Sequence, residues 1–181
     1  SASQTVADEL KVAVASNFYP TMKLIAKHFE LKTAGSSGQQ HKVILIPGSS
    51  GKHYAQIING APFDVFFSAD IDRARLLEQE GRAIAGTRFT YALGKLILWS
   101  SLDNYVDSKG GVLNKKDFRY LAIANPKFAP YGKSAKEALR SLKLWTNLKE
   151  RLVQGENIAQ TFQFISSGNA KLGFVAYSQI M

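Results

Sequence analysis

Short apolar runs alternate with amphipathic stretches along this chain, and few architectures accommodate that order. It is the pattern of strand-to-helix units laid around a mainly parallel sheet, so the fold class is α/β. Residues 10–15 read as a first buried strand. The turn Ser16-Asn17-Phe18-Tyr19 follows, with Pro20 at a first helical position. The helix is expected to run to about Lys32 with Met22, Ile25, Ala26 and Phe29 as its apolar face, and "TAGSSGQQ" to end it.

Residues 43–46 form the next expected strand, and Pro47-Gly48 breaks it before a helix that turns Tyr54, Ile57 and Ile58 inward. Ser49 or Ser50 is its natural N-cap. The run "FDVFFSAD" reads as a third strand, with Asp70 capping a helix over residues 71–80 and Gly81 at the stop. Periodicity lapses over residues 83–92, which places a domain boundary near Arg88 and divides the chain into lobes of residues 1–88 and 89–181. In the second lobe "KLILW", "YLAIAN" and residues 172–177 are expected strands, and residues 132–142, 144–152 and 158–167 expected helices. A strand so close to the last residue suggests that a C-terminal portion of the fold is absent from this chain.

Composition narrows the chemistry. With no cysteine, no disulfide can staple the core, and at 45% hydrophobic and 20% charged residues the chain has the balance of a globular protein. Its formal charge of +9 invites a nucleic-acid reading, but the cations are scattered from Lys11 to Lys171, and no stretch interleaves them with aromatics at stacking spacing. No apolar run approaches the roughly 18 residues of a membrane span. The three histidines, His28, His41 and His53, lie in unrelated segments without ligand spacing, which argues against a metal centre. His28 and His41 read as solvated surface. The segment "PGSSGKH" has too few residues between its glycines for a P-loop, and no G-x-S-x-G elbow or evident His-Asp pair activates Ser50.

Several strand-to-helix turns nevertheless present hydroxyls or glycine where a helix begins, at Ser16-Asn17, at Ser49-Ser50-Gly51 and at Ala129-Pro130-Tyr131-Gly132. A helix N-terminus carries unused N–H donors with the positive end of the helix dipole behind them. Taken singly, each turn caps its own helix; converged, they make an anion pocket of uncharged donors. None of the three contains Asp or Glu. Monohydrogen phosphate needs an acceptor for its O–H, whereas a fully ionised tetrahedral dianion needs donors only, so a sulfate-like or molybdate-like ion fits better. In a fourth segment, "GENIAQ", Glu156 is the nearest acid and Asn157 a natural cap for a helix from Ile158.

These segments together resemble the periplasmic molybdate-binding family, the substrate-capturing component of an ABC importer. The likeness runs from about Leu10 to the end, through "VAVASNFYPTMKLIAKHFE", "GSSGKHYAQIINGAPFDVFFSAD", "NPKFAPYGKSAKEALRSLKLW" and "GENIAQTFQFISSGNAKLGFVAYSQI". The resemblance implies a two-lobed, hinge-bending binding protein of the type II class, which normally continues some fifty residues to complete its first lobe. It implies Ser16 and Ser50 as hydroxyl donors with Asn17 and Ser49 beside them, and main-chain N–H donors from Tyr131 and Ile158. Many members add a late tyrosine hydroxyl. Here Ala176 stands at that place with Tyr177 one residue on, which leaves the Tyr131 hydroxyl as a candidate substitute.

The function so implied is non-enzymatic. A molybdate or tungstate oxyanion is captured in a cleft between lobes by a monomeric periplasmic or lipid-anchored receptor and passed to a membrane permease, with no cofactor and no nucleic acid involved. A sulfate or thiosulfate receptor is the alternative within this class, and a hydrolase with Ser50 as nucleophile the alternative outside it.

Overall fold

The computed structural model describes residues 8–37, 41–115 and 117–181. The chain divides into two compact units, Ser1–Arg88 and Phe89–Met181.

The first unit is a three-stranded parallel sheet in the order β2-β1-β3, built from β1 (Glu9–Ala15), β2 (Lys42–Gly48) and β3 (Val65–Phe67). Central β1 is buried from Val12 through Ala15. Pro47 lies within β2, which its place at the sheet edge permits, because an edge strand can do without one N–H. Helices α1 (Tyr19–Ser37), α2 (Ser50–Ile58) and α3 (Ile71–Gln79) follow the three strands in turn.

Helix α1 departs from expectation twice. It runs on to Ser37, through residues that read as a terminator, and its buried stripe is narrow. Met22 and Ala26 are buried, but Ile25 is 47% and Phe29 39% exposed, with Leu24 and Leu31 more open still. The three-stranded sheet offers a seat only wide enough for an i, i+4 pair. Asp70 caps α3 as expected, accepting the Arg73 N–H at 3.0 Å.

The second unit is a four-stranded sheet in the order β4-β7-β5-β6, with β4 (Leu96–Trp99), β5 (Leu121–Ala124), β6 (Leu152–Gly155) and β7 (Leu172–Ala176). β5 runs parallel to both neighbours, and β4 pairs antiparallel with β7. Every residue of β5 and β7 is buried, as befits strands covered on both faces. Alternation sends Leu121 and Ile123 into one core with Ala135 and Leu139 of α5 (Pro130–Ser141), while Ala122 and Val175 meet Ile165 of α7 (Ile158–Ser166). Short helices α4 (Val112–Lys115) and α6 (Trp145–Leu148) close the first of these cores.

Strand β6 corrects the sequence reading, which carried a helix through Leu152. The helix stops at Leu148, a 3-10 turn spans Lys149–Arg151, and Leu152–Gly155 then pairs with β5. The bonds that make it a strand come from residues some thirty positions away, so no local pattern reveals them.

Candidate functional site

In the first unit the two serine turns leave the C-terminal ends of adjacent parallel strands. Ala15 of β1 lies in register with Gly48 of β2, and the Ser16 N–H donates to the Gly48 carbonyl at 2.9 Å. With β2 on one side of β1 and β3 on the other, strand order reverses between β1 and β3, so the Ser16 turn at the end of β1 borders the usual ligand position in an open α/β sheet. Ser16 and Asn17 form the turn into α1, with Ser16 buried. The Phe18 ring stacks on Phe67, tying that turn to the end of β3.

Ser49 occupies the N-cap of α2 in extended conformation, yet its hydroxyl makes no capping bond. Ser49 Oγ is buried and without a hydrogen-bond partner. A cap serine normally serves a helix N–H, and this one does not. Ser50 is fully buried at the first helical position, and its Oγ accepts the Ala69 N–H at 2.9 Å. With an oxygen lone pair occupied, the Ser50 hydroxyl retains its proton as a donor. The Ala69 contact is a main-chain one and invisible to residue-type reasoning.

Asp70, next to the Ala69 that bonds Ser50, is engaged within its own cap. Asp70 accepts from the Ser68 hydroxyl and the Arg73 N–H and pairs with the Arg73 guanidinium. The turns themselves, Ser16-Asn17 and Ser49-Ser50-Gly51, contain no carboxylate.

His53 was not singled out from the sequence, and it is 2% exposed. Its Nδ1 engages Gln56 at 3.1 Å, Nε2 has no hydrogen-bond partner, and its ring lies edge-on to Phe63 and Phe66. It makes no bond to the Ser50 hydroxyl, so it is not placed as a base for a serine nucleophile. Burial lowers its pKa below the usual 6.5, against opposition from the Gln56 side chain and the backbone of Val14 and Ile46. The unfolded chain then takes up this proton at a higher pH than the folded one. Stability contributed by neutral His53 is complete above about pH 6.5 and is lost as pH falls through the folded value. Urea titrations at pH 7.5 and 5 should show a larger acid loss in the wild type than in His53→Gln.

The second unit repeats the wiring of the first. Ala124 of β5 is in register with Gly155 of β6, and the Asn125 N–H donates to the Gly155 carbonyl at 2.8 Å. From these strand ends start the two helices that carry Tyr131 and Ile158. Ala129 is the N-cap of α5 and has no side-chain oxygen to offer. The first helical bond runs from the Lys133 N–H to the Ala129 carbonyl, which places the Tyr131 N–H in the first turn of α5, at the positive end of the helix dipole.

At α7 the Asn157 side chain accepts the Gln160 N–H at 3.0 Å, and the Gln160 side chain accepts the Glu156 N–H at 2.7 Å. That cap consumes the donors on either side of Ile158, whose own N–H stands at the first helical position. Gln179, also missed in the sequence, clamps this turn. Its Oε1 accepts the Ala176 N–H at 2.9 Å, and its Nε2 donates to the Ile158 carbonyl at 3.1 Å.

The Tyr131 ring is buried, and a side chain at Gly94 would collide with its hydroxyl. Burial raises the Tyr131 pKa, and burial together with Tyr131 pushes Tyr91 up to about 12, so both phenols stay protonated donors at neutral pH. Tyr177 is 43% exposed, in a turn beyond β7, its N–H donating to the Lys95 carbonyl. The structure therefore assembles Ser16, Asn17, Ser49 and Ser50 within the first unit, and Tyr131 and Ile158 within the second. Among the described residues no cluster of His, Asp and Glu is arranged to hold a metal ion, and no helix is long and apolar enough to cross a membrane.

Each unit thus carries turns with uncharged donors at the C-terminal ends of its parallel strands. The chain matches the family model of bacterial extracellular solute-binding proteins over residues 10–181, and it belongs to that family. It is 52% identical over 174 residues to the molybdate-binding protein ModA of Azotobacter vinelandii, covering 96% of this chain and 67% of that protein. It is 46% identical over 175 residues to ModA of Rhodobacter capsulatus, covering 97% and 67%. The solved structure of the periplasmic molybdate-binding protein of Azotobacter vinelandii superposes with a TM-score of 0.84 at 45% identity, over 92% of this chain and 71% of that one.

Proposed function

We propose that this protein binds molybdate or tungstate, without chemical change, as a monomeric periplasmic receptor that delivers the oxyanion to the permease of an ABC importer. The donors are the hydroxyls of Ser16, Ser49 and Ser50 and the side chain of Asn17 on the first unit, and the N–H groups of Tyr131 and Ile158 on the second. The observation that carries this reading is the Ser49-Ser50 turn, where one buried hydroxyl has no protein partner and the other keeps its proton while its oxygen accepts from Ala69. Such groups are costly to bury unless a ligand takes them up. Close relatives that are molybdate-binding proteins support the choice of ion.

Neutral donors suit reversible capture. Helix N-termini attract the dianion by their dipoles without the strong Coulomb attraction of a buried ion pair, which would slow release. Selection over sulfate rests on size, since the same donors serve every tetrahedral dianion and a pocket spaced for longer metal–oxygen bonds grips the smaller ion loosely. Phosphate at neutral pH brings an O–H that needs an acceptor, and the proposed donor set contains no carboxylate.

A thermal-shift panel with molybdate, tungstate, sulfate and phosphate tests this. At a hundredfold excess over Kd, a ligand of the folded state adds about 2.7 kcal/mol, roughly 5–10 °C for a chain of this size. Molybdate and tungstate should each produce that shift at micromolar concentration. Sulfate shifting the transition as strongly would move the assignment to a sulfate receptor, and no shift with any of the four would end the oxyanion reading.

A further inference from the structure

We propose that His53 is a positioning residue for the oxyanion site, setting the Ser49-Ser50 turn and the Ser16 turn together by bearing on Gly48. The inference rests on the oxyanion reading and assigns His53 no contact with the ion. Three sides of the ring are fixed, by Gln56 at Nδ1 and by the edge-on rings of Phe63 at 5.7 Å and Phe66 at 6.1 Å. The remaining edge faces the backbone of Gly48, with the backbone of Val14 and Ile46 also against the imidazole. A Cβ built there would lie 2.7 Å from Nε2 and 2.8 Å from Cε1 of His53, inside any tolerable contact.

Gly48 is the residue through which both turns are joined. It ends β2, its carbonyl accepts the Ser16 N–H, and the next residue is Ser49. The His53 N–H in turn donates to the Ser49 carbonyl at 3.1 Å, so ring and main chain of one residue hold both flanks of the loop. A displacement of Gly48 therefore moves the hydroxyls of Ser49 and Ser50 and slackens the Ser16 turn in one step. Hydrogen bonds to an anion fall off within a few tenths of an ångström and a few tens of degrees, so such a shift is felt in affinity before it is felt in the fold.

The second unit uses the same device. Gly155 ends β6, its carbonyl accepts the Asn125 N–H, and a Cβ on it would lie 2.6 Å from Thr161 Oγ1. Thr161, fully buried, is the fourth residue of α7, as His53 is the fourth of α2. In both units the strand-end glycine rests on a buried polar residue one turn into the following helix. The two differ in one useful respect. The atoms nearest a Gly48 Cβ all belong to the His53 side chain, whereas at Gly155 they include the main-chain Thr161 N at 2.7 Å and Asn157 O at 3.0 Å.

The test is suppression. Gly48→Ala should weaken molybdate binding, measured by isothermal titration, about tenfold or more, the equivalent of one lost charge-assisted hydrogen bond. Gly48→Ala combined with His53→Ala gives the new methyl the space of the ring and should recover most of that loss. Gly155→Ala combined with Thr161→Ala should not recover, because main chain still blocks the methyl. Amide exchange at Ser16 reads the same displacement without ligand, faster in Gly48→Ala and slowed again in the double variant. Should Gly48→Ala fail to fold, a folded double variant supports the lock and an unfolded one overturns it. Wild-type affinity in Gly48→Ala, or a double variant no better than the single, also overturns it. Absence of molybdate binding by the wild type would instead overturn the oxyanion reading, with Ser16 exchange still deciding the role of His53.

Discussion

Ser50→Ala is expected to weaken molybdate binding by about 1.5–3 kcal/mol, the worth of a hydrogen bond to a charged group, or roughly ten- to 150-fold in Kd. Two losses combine in this variant, and they can be separated. The ion loses a hydroxyl donor, and the Ala69 N–H, which Ser50 Oγ accepts at 2.9 Å, is left without its acceptor. The second loss should appear as about 1–3 kcal/mol of folding stability. Ser49→Ala provides the contrast. Its hydroxyl is buried without a protein partner, so removing it breaks no internal bond and relieves an unmet one. Its stability should be unchanged or raised while its affinity for the ion falls. Isothermal titration alongside urea unfolding measures both quantities. Ser49→Ala binding molybdate as tightly as the wild type would remove that hydroxyl from the site, and Ser50→Ala doing so would remove the other.

The elements that framed this reading were legible where one residue type had one local task. Asp70 and Asn157 announced helix starts because a short acceptor before an apolar periodic run has few other uses, and both accept the N–H three residues on. The buried strands β5 and β7 were legible as continuous apolar runs, and β1 as one from Val12 onward. Strand β6 was not, because Leu152 and Val153 extend a helical pattern as readily as they begin a strand, and only distant pairing with β5 decides between them. His53 was hidden by its type. A lone histidine after a lysine on a helix reads as surface, and its burial depends on Phe63 and Phe66 folding back against it. Ala69 contributes only a main-chain N–H, and Gln179 is an ordinary polar residue whose two bonds reach its own strand end and a helix start 21 residues away. The turns proposed as donors are thus marked in the sequence by hydroxyls at helix starts. The contacts that fix their angles are made by groups with no chemical signature in one dimension.

Gly132→Ala should produce a large loss of stability in the second unit, about 3 kcal/mol or more, a fall in Tm of roughly 6–12 °C for a chain of this length. Alanine is the better helix former, and at an exposed helical position this exchange would stabilise by about 1 kcal/mol. Here the sign reverses for a steric reason. A Cβ on Gly132 would overlap the Ala124 carbonyl oxygen and lie 2.6 Å from Ala124 C and 2.8 Å from Asn125 C. All of these are main-chain atoms at the end of β5, so no side-chain rotation relieves the clash. Helix α5 must lift from the sheet, and with it go Ala135 and Leu139, both fully buried in the core with Leu121, Ile123 and Leu172. Tyr131 lies one residue away, so its N–H moves as well, and any variant that still folds should bind molybdate more weakly than its lowered stability alone explains. Ser134→Ala, exposed two residues further along the same helix, is the matched control and should fall within about 0.5 kcal/mol of the wild type. If Gly132→Ala unfolded in urea at the same midpoint as this control, the close seating of α5 on the end of β5 would not be what places the Tyr131 donor.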